Sequence, residues 1–196
     1  TETVSNNIHQ KESLVENIFA DSLAMKTFQN VERYPTQALN LSKSFLLKEQ
    51  LIFFYVYKNH KPIFWSSNIM VLPSDQPFQQ DITFVDEEPR SYLVKKKQLD
   101  AETSVLALIL VKRTFNHSNP YLTNRFYKQI IPTDNLDIAR YSDDDVVRNV
   151  YSKNGSFLFS VKFKEGKYHN VYLTIQLLSW VLGSIICLCL VSHLCR

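Results

Sequence analysis

The first thirty residues alternate apolar and polar positions with the period of a helix. Asn, Gln, Glu and Lys occupy the opposite side, and the apolar positions recur at steps of seven and three: Ile8, Val15, Ile18, Met25 and Phe28. This spacing predicts one amphipathic helix over residues 3–31, roughly 40 Å long, which ends before Pro35. Two interpretations stay open. It is either a core helix of its own domain or a helix that rises from an earlier membrane span and packs beside its copy, which the near-heptad spacing favours.

After residue 50 the pattern changes to short apolar runs bounded by turn residues, as is typical of β-strands. Residues 105–111, within the predicted strand 103–112, are apolar on both alternating faces, which predicts a central strand covered on both sides. Asn154-Gly155 between two such runs predicts a hairpin with a type I′ turn. The order of elements predicts an α+β domain with the N-terminal helix on an antiparallel sheet of about five strands. The predicted strands cover residues 51–57, 63–67, 82–85, 91–97, 103–112, 147–152 and 156–164.

The C-terminal segment has a different pattern, because residues 168–195 contain no Asp, Glu, Lys or Arg. Residues 171–194 would form a helix of roughly 36 Å, long enough to cross the hydrocarbon core of a bilayer. The sequence therefore predicts one transmembrane helix at 171–194. Arg196 follows it, so the positive-inside rule places residues 1–170 outside and residues 195–196 at the start of a cytoplasmic part. Because the chain begins at Thr1 without a signal segment, we expect an excerpt of a longer membrane protein.

Composition excludes several function classes. The net charge is only +3, and the glycines are too dispersed for a phosphate-binding loop: Gly155, Gly166 and Gly183. All three cysteines lie in or at the predicted span, so residues 1–170 hold no thiolate nucleophile and no Cys-based metal site. The five histidines are scattered. We therefore predict no catalytic residues, no metal and no cofactor. The run Lys95–Lys97 is interpreted as a solvated strand edge rather than a nucleic-acid contact.

Two sets of residues are candidates for binding. The predicted strands 51–57 and 63–67 flank the polar turn cluster Lys58–Lys61, which predicts a β-hairpin. Tyr55 and Tyr57 share one face of its first strand, and Trp65 lies across from them on the second. Amphipathic aromatic side chains suit a small ligand and suit core packing equally well, so both interpretations stay open.

The second set lies in the predicted span. Small residues recur there every four positions, which lets two membrane helices approach closely: Ser179, Gly183 and Cys187. Together with the N-terminal helix, they predict a parallel homodimer.

The stretch LIFFYVYKNHKPIFWSSNIMVL at residues 51–72 resembles a hairpin of the extracytoplasmic sensor domains of bacterial histidine kinases. Shorter similarities follow at residues 91–97, 105–112, 119–121 and 154–167. The resemblance implies a PAS- or Cache-like domain outside the bacterial inner membrane, a transmembrane helix and a cytoplasmic kinase core. The phospho-accepting histidine box and the ATP-binding boxes are not in this sequence, so the segment itself is not the kinase.

We therefore expect the signal-sensing region of a two-component sensor histidine kinase, responding to an unidentified small molecule or protein. The alternative is a single-pass, membrane-anchored binding or adhesion domain without kinase output. An outward-facing enzyme is a third hypothesis, for which no cluster of residues provides the chemistry.

Overall fold

A computed structural model describes residues 2–44, 50–68, 74–79, 81–87, 89–115, 124–139, 146–164 and 167–194. The chain divides into two units, Thr1–Lys162 and Phe163–Arg196. The predicted cytoplasmic start at residues 195–196 and the similarity at 119–121 lie outside the described residues.

Two helices, and not one, cover the segment predicted as a single helix over residues 3–31, so that prediction is wrong, and a third helix follows them. The three helices are α1 (Glu2–Ala20), α2 (Ser22–Gln29) and α3 (Pro35–Ser44). The break occurs at Asp21, whose backbone is extended and whose carboxylate accepts hydrogen bonds from the backbone N–H groups of Leu23 and Ala24. An aspartate satisfies the free N–H groups of a new helix in this way, which favours a start at Ser22 over continuation.

The apolar stripe of α1 and α2 is buried inside the first unit. Ile8, Val15 and Phe28 are completely buried in the core of the domain. The exposed positions of α1 are mostly polar: Thr3, Asn6, Gln10, Asn17 and Ala20. The stripe therefore packs as that of a core helix, and it is not the surface on which a second copy would pack.

The first sheet is antiparallel, with the strand order β2-β1-β5-β4-β3 and a short β6 paired to the end of β5. The prediction of a central strand at 103–112 is confirmed, because β5 lies between β1 and β4 and is buried from Thr103 to Val111. The bounds are β1 Ile52–Lys58, β2 Lys61–Trp65, β3 Thr83–Glu87, β4 Arg90–Gln98, β5 Thr103–Arg113 and β6 Arg125–Phe126.

The helices cover one face of this sheet. The ring of Phe54 on β1 lies 5.2 Å from that of Phe28 on α2 and 6.3 Å from that of Phe19 on α1. Successive residues of a strand point to opposite faces, so Tyr55 and Tyr57 point away from these helices. The sheet therefore has a helix-covered face, and an opposite face that we call the tyrosine face.

A second sheet contains β7 (Leu136–Ile138), β9 (Phe157–Phe163) and β8 (Val146–Tyr151), in that order. The predicted β8–β9 hairpin is present, but the prediction of a single sheet is wrong. Alternation along a strand identifies its buried face and not its partner strand. The turn is not type I′ either: that turn needs positive φ at both central residues, and only Gly155 has one, at 81°.

The second unit contains α4 (Lys167–Leu194), which confirms the predicted apolar C-terminal helix. It begins at Lys167, four residues before the predicted span, so the helix also includes the polar residues 167–170. Its segment Leu173–His193 has a mean hydropathy of 2.2, and none of its apolar window is buried. Among the described residues it is the one helix long and apolar enough to cross a membrane.

Candidate functional site

The three predicted aromatic residues are neighbours, but they differ in accessibility. Tyr55 on β1 pairs directly with Trp65 on β2, as the sequence predicts. Tyr55 and Tyr57 are 1% and 0% exposed, whereas Trp65 is 44% exposed and its indole N–H donates to Asn68 Oδ1 at 2.8 Å. Both tyrosines therefore belong to the core in this structure, and a ligand would contact them only after the residues that cover them move.

A third tyrosine, which sequence reasoning missed, lies on the same face. Tyr92 on β4 is opposite Leu110 of β5, and Tyr55 is opposite Leu106, so both tyrosines point to the tyrosine face. The Tyr55 hydroxyl donates to the carbonyl of Ser67 at 3.2 Å. Burial raises the pKa of Tyr57 and the pKa of Tyr92, so both phenols stay neutral hydrogen-bond donors near neutral pH.

A buried carboxylate lies on the tyrosine face. Asp75 belongs to the connection between β2 and β3, the two edge strands, and only 2% of it is exposed. Its Oδ2 lies 2.7 Å from Lys96 Nζ of β4 and accepts a hydrogen bond from the Ser104 hydroxyl of β5, while its Oδ1 lies 2.8 Å from His60 Nδ1. The Asp75 side chain thus attaches the β2–β3 connection to β4, to β5 and to the β1–β2 turn. We call these four residues the Asp75 cluster.

The cluster keeps Asp75 ionised. Burial by itself would raise the pKa of Asp75, but hydrogen bonds from Lys96, Ser104 and His60 and the charge of Lys96 outweigh it and lower the pKa to about 2. The position of His60 follows from the β1–β2 turn, in which Asn59 and His60 have φ values of 48° and 64°. Positive φ at both central residues is the type I′ geometry of a two-residue hairpin.

The helix-covered face carries a second group of charges, centred on α1. Glu16 pairs with Lys95 of β4 at 2.8 Å and with Lys153 of the β8–β9 turn at 2.7 Å. The backbone N–H of Lys153 also donates to Glu12 at 2.9 Å, and His9 Nε2 lies 3.0 Å from the carbonyl of Tyr151. Helix α1 is therefore bonded both to the first sheet and to the hairpin whose second strand precedes α4.

The lysine run of β4 joins these two groups of charges. Lys95 reaches Glu16 and Lys97 reaches the carbonyl of Phe19 on the helix-covered face, while Lys96 reaches Asp75 on the tyrosine face. Val94 is the last residue of β4 that pairs with β3, so the lysine run that follows it lies at an edge of the sheet, as predicted. It is not solvated, since the side chains of Lys95 and Lys96 are only 18% and 13% exposed.

The small residues of α4 share one side of the helix. Ser179, Gly183 and Cys187 line a shallow groove of about 420 Å³ with Trp180 and Ser184. A Cβ atom at Gly183 would meet nothing within 4 Å, so the groove floor is open. The geometry is compatible with close approach of a second helix, and the dimer stays a prediction.

Among the described residues, no group of three or more His, Cys, Asp or Glu side chains is arranged to hold a metal ion. Comparison with protein-family models, curated proteins and solved structures gave no match to this chain.

Proposed function

We propose that residues 1–170 are the extracytoplasmic, PAS- or Cache-like sensing region of a sensor histidine kinase, anchored in the bacterial inner membrane by α4. One observation supports this above all others: α1 is bonded both to the first sheet and to the β8–β9 hairpin. A stimulus that moves α1 relative to the sheet would therefore also move the hairpin. In this proposal kinase activity belongs to a cytoplasmic core, and the outer segment catalyses no reaction.

The connection to α4 is short. Strand β9 ends at Phe163 and α4 begins at Lys167, so three residues separate them. Such a link spans at most about 14 Å when fully extended, which leaves little slack to absorb a displacement of the hairpin. A signal then only has to bias two arrangements that differ by a few kcal/mol.

The assembly in this proposal is a parallel homodimer in which Ser179, Gly183 and Cys187 face their copies. Support now comes from α4 alone, because the apolar stripe of α1 is buried in its own domain. The stimulus is a small molecule or a protein. Tyr55, Tyr57 and Trp65 would contact a small ligand if the cover over the tyrosine face opens.

The test fuses residues 1–196, exported behind a cleavable signal sequence, at Arg196 to the dimerisation and kinase core of a characterised bacterial sensor kinase. One to seven alanines are inserted after Lys167, and transcription from the cognate reporter promoter is measured. Each alanine turns the following helix by about 100°, so output should oscillate with the 3.6-residue period if the outer domain fixes the rotation of α4. A fusion that lacks residues 1–162 is the control and should give flat output. Flat output from the complete chain would contradict the proposal.

A membrane-anchored binding or adhesion protein is the second candidate. It is supported by an exposed aromatic pair on the β8–β9 hairpin: Tyr151 and Phe157 are 45% and 58% exposed, with ring centroids 6.0 Å apart. The gene sequence after Arg196 distinguishes the two. A few basic residues and a stop codon support the anchor, whereas a linker helix and a dimerisation helix with a histidine support the sensor.

A further inference from the structure

We infer that the lysine run of β4 transmits displacements from the Asp75 cluster on the tyrosine face to Glu16 on the helix-covered face, and through Glu16 to the β8–β9 hairpin. The signalling role of this link rests on the proposed function. The link itself is a mechanical property of the first unit, and it can be measured without any output domain.

The first half of the link is the pair of Asp75 and Lys96. The Lys96 ammonium lies 2.7 Å from Asp75 Oδ2 and 3.2 Å from the Asp75 carbonyl oxygen, so it holds both the side chain and the backbone of the connection. Both side chains are almost fully buried, at 3% and 13% exposed. A buried ion pair resists separation, because an unpaired charge would remain in the protein interior. Displacing residue 75 therefore pulls on β4.

The second half begins one residue earlier on the same strand. Lys95 and Lys96 are consecutive, so their side chains leave the strand on opposite faces. Their backbones are held by β5 through the register Lys95–Ala107 and Lys96–Leu106. A shift or twist of β4 at Lys96 must therefore move Lys95, whose partner is Glu16. Because Glu16 also holds Lys153, the displacement reaches the hairpin.

This arrangement differs from an isolated ion pair because Glu16 joins two lysines of different elements, although its side chain and that of Lys153 are 34% and 37% exposed. Lys58 and Glu32 form such a pair at 2.6 Å, with side chains 40% and 54% exposed. Neither residue belongs to the lysine run of β4 or to the β8–β9 hairpin. It provides a matched control for the loss of one lysine–carboxylate interaction.

The experiment is hydrogen exchange with mass spectrometry on the complete chain in lipid nanodiscs. The variants are Asp75→Asn, Glu16→Gln and their combination, with Lys58→Met as the control. In the Asp75→Asn variant we expect amides of residues 149–160 to exchange about fivefold faster or more, the lower end of measured couplings between sites. In the Glu16→Gln background the same substitution should leave unchanged the local-opening rate of those amides, measured under conditions where global unfolding does not contribute to their exchange. The control should not alter them.

Dependence on Glu16 separates transmission from general destabilisation. A globally less stable fold would exchange faster at residues 149–160 whether or not Glu16 is present. The inference is overturned if the acceleration is confined to residues 60–67, 74–79 and 91–106, or if it persists in the Glu16→Gln background.

A second variant covers the case in which Asp75→Asn does not fold. His60→Gly removes one partner of Asp75 and places glycine at a φ of 64°, which glycine adopts without strain. It should accelerate the same amides by a smaller factor, again only when Glu16 is present, and the absence of that effect would also overturn the inference. A negative result here together with oscillating output from the fusions would refute the link and leave the proposed function standing.

Discussion

Replacement of Asp75 by asparagine is expected to destabilise the first unit in a pH-dependent way. The substitution keeps the size of the side chain and removes its charge, so Lys96 loses its counter-ion in a site where it is 13% exposed. Removing one partner of a buried pair costs about 3–5 kcal/mol when the other charge is left unpaired. The Asp75 carbonyl still accepts from Lys96, so we expect about 2–4 kcal/mol at pH 7.

The pH dependence follows from the depressed pKa of Asp75, about 2 in the folded protein against an ordinary value of 3.8. A carboxylate with a lowered pKa stabilises the fold above its unfolded pKa, and this contribution disappears as the pH falls through its folded pKa. The difference in pKa corresponds to about 2 kcal/mol at neutral pH. About half of that amount should be lost by pH 3, and nearly all of it below pH 2.

The assay is urea unfolding of the complete chain in nanodiscs between pH 7 and pH 2.5, followed by the fluorescence of Trp65. Trp180 is replaced by Phe in every variant, so that the tryptophan fluorescence comes from Trp65 in the first unit alone. The difference in unfolding free energy between the parent and Asp75→Asn should narrow as the pH falls below 4. Glu32→Gln is the control, and it should cost less than about 1 kcal/mol because its ion pair is exposed. A difference that stays constant from pH 7 to pH 2.5 would refute the assignment of a paired, ionised Asp75.

Three further predictions use other parts of the chain. Phe54→Ala should lower the unfolding free energy by about 3–5 kcal/mol, measured in urea, because a fully buried ring is lost from between the helices and the sheet. Glu12→Gln should raise the thermal midpoint at pH 7, with a gain of at most about 1 kcal/mol. Burial raises the pKa of Glu12, so its ionised form opposes folding above its ordinary pKa; a lower midpoint would contradict this. In membranes, oxidation should cross-link Cys187 between copies and not Cys189, which lies about 200° around α4; equal cross-linking would refute the predicted dimer face.

The candidate site was only partly predictable from the sequence. The hairpin that pairs Tyr55 with Trp65 was predicted, because aromatic runs on either side of a polar turn cluster are a local signal. Asp75 was missed because it lies in a proline-bounded stretch that has no periodicity. The three partners of its carboxylate are 15, 21 and 29 residues away along the chain, and no local pattern reports such pairs.

The sequence by itself determined the α+β class, the central strand β5, the β1–β2 hairpin and the apolar C-terminal helix. Each of these follows from a periodicity or a run of apolar residues that a short window contains. Asp21 divides the first helix through a local N-cap that the apolar periodicity does not reveal. Only the tertiary structure decided that β8 and β9 form a separate sheet. It also decided that the hydrophobic stripe of α1 is buried in its own domain. The physical reason is that alternation identifies which side of an element avoids water, whereas its partner is chosen by packing and charge pairing between distant segments.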